Sequence, residues 1–143
     1  MNAQDRYTDN GDDTVTDTVN GIMWARNDSI NILEKWINYQ EGVDFVRGLN
    51  DKKFSGYDDW HLPTYDELSS LYVPELSNTD KFGKEIHISP CFAPGGGFSA
   101  ISQPAPGRYR IWILNLRTGA FEQPDGVWTI TEAARAARSL KTD

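Results

Sequence analysis

Three observations predict an α+β fold, with helices kept apart from an antiparallel sheet. The pattern of the chain runs strands, then helices, then strands. Two Asn-Gly dipeptides, at Asn10-Gly11 and Asn20-Gly21, punctuate an early β-rich stretch. Two helix starts of the same form follow, at Asn38-Tyr39-Gln40-Glu41 and Thr64-Tyr65-Asp66-Glu67. In each, a capping side chain can accept the third helical amide while the Glu reaches back to the cap amide.

The elements follow in order. Arg6–Asp9 and Thr14–Val19 read as strands, and Gly21–Ala25 as a short buried strand, making a compact meander. Residues 27–37 read as a loop with a short helical turn. Tyr39, Val43, Phe45, Val46 and Leu49 place an apolar stripe on a helix over 39–51, with Gly42 a mild defect in it. The stretch Gly56–Leu68 joins a turn to Trp60, stops at Pro63, and opens a second helix over 65–72. Residues 75–96 read as loop, with a turn near Asp80–Gly83. Phe98–Ser102 is a short strand. Tyr109–Leu116 reads as a central strand covered on both faces, turned at Arg117-Thr118-Gly119 and paired back by Ala120–Glu122. Local propensity makes Thr131–Leu140, with its alanines, a helix.

The totals bound the function. A chain of 143 residues fits one domain, 1–143, and five Trp within 12% aromatics can fill one core. A net charge of −7 argues against a nucleic-acid footprint and against adsorption to anionic membranes. No run reaches membrane-spanning length. The single cysteine, Cys91, leaves no internal disulfide and no four-cysteine zinc site. The start, Met-Asn-Ala-Gln-Asp-Arg, lacks the apolar core of a signal peptide, and an exported parent with its leader removed would look the same.

Candidate sites are each weighed against a plainer reading. The run Asp9-Asn10-Gly11-Asp12-Asp13 offers oxygen ligands but fails the EF-hand pattern, so a polar hairpin tip is favoured. Gln123-Pro124-Asp125 matches a tripeptide that lines calcium sites in galactose-type lectins, yet it makes a turn as readily. His61, His87 and Cys91 carry no local nucleophile or ligand spacing, and no phosphate loop or serine elbow occurs. Arg108, Arg110 and Arg117, with Trp112, suit an acidic ligand or a sugar ring stacked on Trp.

Three segments together resemble one bacterial family. They are Tyr7–Asp17 running on to Gly21-Ile22-Met23-Trp24, then Gly56–Thr64 with Glu67-Leu68, and the Arg135-Ala136-Ala137-Arg138 ending. The family is the one named for the C-terminal domain of the Legionella collagen-like protein. The resemblance implies a C-type-lectin-like fold with two helices, an N-terminal hairpin and a C-terminal antiparallel sheet. It also implies that the Arg-x-x-Arg ending is a terminal strand, against its helix propensity. Leu62-Pro63-Thr64 with Glu67 is similar to a piece of the formylglycine-generating sulfatase modifiers, whose paired cysteines are not matched here. His61 stands where the family usually has Arg, and Gly97–Ser102 lacks the family's Trp.

The expectation is a non-enzymatic recognition module, without metal or cofactor, in a bacterial surface, secreted or periplasmic protein. It would bind a glycan, a polyanion or a protein partner through Arg108, Arg110, Trp112 and Arg117. The alternatives are a divergent sulfatase-modifier enzyme using Cys91, or a domain that only oligomerises its parent.

Overall fold

The computed structural model describes residues 6–104, 111–122 and 132–140. Strands β1 (Tyr7–Asp9), β2 (Thr14–Asp17) and β3 (Ile22–Ala25) form the expected antiparallel meander, with Thr8 opposite Thr16 and Val15 opposite Trp24. Both Asn-Gly turns place their glycine at positive φ, 80° at Gly11 and 67° at Gly21. Asn10 Nδ2 donates to the hydroxyls of Thr14 and Thr16, each at 2.9 Å, which fixes the first turn.

The tail is a strand. Ala137–Ser139 (numbered β9, the last in the chain) pairs antiparallel with β3, giving the order β1-β2-β3-β9. Helix propensity loses because the backbone is already engaged by four separate segments. The carbonyls of Ala133, Ala134, Ala136 and Ala137 accept the amides of Ile101, Ser29, Ala25 and His61, at 2.8–3.1 Å. These alanines are fully buried.

Among the described residues three α-helices occur rather than two. The additional one, α1 (Ser29–Leu33), lies in the segment read as a loop with a helical turn, and is capped by Asp28. Helix α2 (Tyr39–Asp51) has the capping box of Asn38 and Glu41, and α3 (Tyr65–Leu71) that of Thr64 and Glu67. Gly42 is a point of close approach rather than a defect. A Cβ there would lie 2.9 Å from Ile101 Cδ1 and 3.5 Å from Ala134 Cβ. Trp60 is buried, and its backbone is bracketed by the Asn50 amide, which accepts from its N–H and donates to its C=O, both at 2.8 Å.

A hairpin of β4 (Asn78–Thr79) and β5 (Glu85–Ile86) interrupts the loop of residues 75–96. Beyond it, β6 (Ser99–Ile101), β7 (Ile113–Asn115) and β8 (Phe121–Glu122) form a second antiparallel sheet with β7 in the middle. The strand expected over 109–116 is thus regular only at Ile113–Asn115, and residues 109 and 110 lie outside the described residues. It is covered on one face, by Leu114, whereas Ile113 and Asn115 are half-buried. Two apolar clusters make the core: one gathers Trp24, Leu68, Phe92 and Leu114, the other Ile37, Val46, Trp60 and Ile101. Among the described residues no helix is long and apolar enough to cross a membrane.

Candidate functional site

Arg108 and Arg110, and the Gln123-Pro124-Asp125 turn, lie outside the described residues. Trp112 and Arg117 lie beyond opposite ends of β7, Arg117 in the turn that follows the strand. They belong to different aromatic groups. Trp112 is half-buried and meets Tyr65 and Phe121 edge-on, at 5.7 and 6.3 Å between ring centroids, while Tyr65 stacks on Phe121 at 4.3 Å.

Arg117 instead joins a cluster around Trp36. Its guanidinium lies 4.5 Å from the centre of the Phe98 ring. Phe98 meets Trp36 edge-on at 5.1 Å, and Trp36 stacks on Phe82 at 6.4 Å with the rings 21° apart. Lys81 Nζ lies 5.5 Å from both the Trp36 and the Phe82 rings. Phe82 is 56% exposed, so an apolar ring with a cation beside it faces solvent.

Local chemistry holds this surface in place. The left-handed Glu34 (φ 59°) ends α1 and turns the chain, and Ile37 then pairs with Glu132 in both directions at 2.9 Å. Trp36 is therefore fixed from both sides. Phe82 sits in the turn between β4 and β5, which the buried Asp80 organises. Asp80 Oδ1 accepts the amides of Phe82 (2.8 Å) and Lys84 (3.0 Å), and Oδ2 accepts Arg117 Nη2 (2.7 Å) and Nε (2.9 Å). Burial pushes the Asp80 carboxyl up. The hydrogen bonds from Arg117 and from the two amides outweigh it and hold the group below the usual carboxylate range.

Sequence reasoning placed the turn at Asp80–Gly83 but missed Trp36, Lys81 and Phe82 as members of one surface. The available signal was a Phe inside a polar turn, where no periodicity explains an apolar side chain. Elsewhere the acidic tip serves its own backbone: Asp9 accepts the Gly11 amide at 3.0 Å and Asp12 that of Thr14 at 3.2 Å. Among the described residues no three His, Cys, Asp or Glu side chains are grouped to hold a metal. Cys91 is half-buried, while His61 and His87 meet the carbonyls of Leu62 and Leu76.

The motifs that carry the resemblance meet in space. Arg138, on β9, donates to both Asp59 oxygens at 2.7 and 3.2 Å and lies 3.8 Å from the centre of the Tyr57 ring. A family model, the Lcl C-terminal domain, matches residues 13–138. The chain belongs to the Lcl C-terminal domain family. No curated protein and no solved structure matches it. In this Lcl C-terminal domain the shared motifs are scaffold. Arg135 is buried over Phe92, donates to the carbonyls of Ala25 and Arg26 at 3.0 and 2.8 Å, and lies 3.8 Å from Asp28. Asp28 in turn accepts the Gly97 amide at 2.8 Å. His61 Nδ1 lies 2.8 Å from the Leu62 carbonyl and 3.7 Å from Glu67 Oε1.

Proposed function

We propose that this Lcl C-terminal domain is a non-enzymatic recognition module of C-type-lectin-like arrangement, acting within a bacterial surface or adhesion protein. It takes a glycan on the Trp36–Phe82 surface. The observation that carries this reading is the exposed Phe82 ring stacked on Trp36, with Lys81 beside both rings. A pyranose presents apolar C–H faces that pack on such rings, and its acidic substituents would meet Lys81 or Arg117. The terminal strand closing on β3 supports the lectin-like arrangement. A protein ligand is the second reading, favoured by Ile32 and Leu33, 48% and 40% exposed on α1 near Trp36.

An array of neutral, carboxylated and sulfated glycans, run with and without calcium, tests the proposal. Phe82→Ala should weaken binding about tenfold or more. Lys81→Gln should weaken only the acidic glycans. An array silent in all conditions would overturn the glycan reading and leave the protein partner.

A further inference from the structure

A second concave feature lies apart from the Trp36–Phe82 surface, between α2 and the Trp60–Leu62 segment. It is a cleft of about 310 Å³. Its floor is apolar, made by the buried Val46, Trp60 and Leu62, and the half-buried Tyr39 and Val43 wall it. Arg47, His61 and Gln103 stand at its rim.

Three properties make it more than a surface irregularity. The cleft is preformed: Asn50 brackets the Trp60 backbone, Trp60 Nε1 donates to the Phe54 carbonyl at 3.1 Å, and Gln103 Nε2 donates to the Leu62 carbonyl at 2.8 Å. A cleft held this way loses little entropy when filled. Among the described residues Arg47 lines it and no carboxylate does, so its charge is opposite to the net charge of −7 on the chain. Arg47 is also available. Its partner is Asp44 at 3.1 Å, in a pair exposed on both sides, and such pairs hold weakly.

We infer that this cleft binds a small aromatic carboxylate, the ring on the Trp60–Val46 floor and the carboxylate exchanging with Asp44 on Arg47. The volume stands at the small end of ligand clefts, which suits one or two rings. Tyr39 and His61 offer ring edges and faces at the sides.

The test is an NMR titration of the isotopically labelled domain with indole-3-acetate and with its uncharged amide. The acid should shift the Trp60 indole N–H and the amides of Val43 and Arg47, with sub-millimolar affinity. The amide should bind about fivefold more weakly or worse, and Arg47→Gln should remove that difference. Val43→Trp, which fills the cleft, should abolish the shifts. Tyr39→Ala, on the half-buried wall, should weaken them while a thermal melt shows the domain folded. Absence of shifts at millimolar acid, equal binding of acid and amide, or shifts that survive Val43→Trp would each overturn the inference. The Trp36–Phe82 surface takes no part, so a failure here leaves the glycan proposal standing, and a silent array leaves this one standing.

Discussion

At Gly119 the backbone and the packing make the same demand. Its φ is +81°, and a Cβ would lie 2.7 Å from the Tyr72 ring. Gly119→Ala should therefore destabilise the protein by about 2 kcal/mol or more, read from the urea midpoint. A second single-residue dependency is the buried pair of Asp28 and Arg135. Burial holds the Arg135 guanidinium below its usual range, with Asp28 opposing that shift and Arg26 adding to it. Asp28 also caps α1 and receives the Gly97 amide. Asp28→Ala removes the carboxylate beside a buried cation and leaves the Asn31 and Gly97 amides without their acceptor, so a loss of about 3–5 kcal/mol is expected. The sequence did not announce this pair, since nothing local marks residues 28 and 135 as neighbours. The Thr64–Glu67 and Asn38–Glu41 boxes were legible because a cap is decided within four residues.

Among the elements, the β4–β5 hairpin is tied to the end of β7 by Asp80 and Arg117. The Asp80 carboxyl is depressed in the folded state. Its stabilising contribution is thus fully present above the unfolded value of about 3.9, and is lost as pH falls through the lower folded value. Asp59 is depressed too, chiefly by the hydrogen bonds from Arg138, and contributes in the same direction. Asp80→Asn should be less stable than the parent at pH 7, and the gap should narrow as pH falls below about 4. Urea titrations at several pH values check this; a gap that stays constant down to pH 2 would refute it. The same tie explains why the site was only half legible. Arg117 was identified by its aromatic surroundings, but its partners Asp80 and Phe98 come from segments read separately as loop and strand. Trp36 lies in residues 27–37, which read as a loop with a short helical turn and give no apolar stripe to assign it to.

For the molecule as a whole, the decisive element is the tail. Ala137–Ser139 closes the four-stranded sheet, and its arginine clamps the Tyr57–Asp59 turn that leads into Trp60. The meander, α2 and α3 could be read from periodicity and caps, since each is a local pattern. The tail could not, because its alanines favour a helix on their own. What decides against the helix is the demand of Ala25, Ser29, His61 and Ile101 for backbone acceptors, which only an extended chain meets. This also makes the tail the element on which both core clusters depend: Ala137 packs in one and Ala136 in the other. Removal of residues 136–143 would strip the partner from β3 and unpair His61. The shortened chain should lose its cooperative thermal transition, whereas the isolated tail peptide should turn helical in trifluoroethanol. A truncated protein that still melts cooperatively, within a few degrees of the parent, would show that the meander and helices fold without closure.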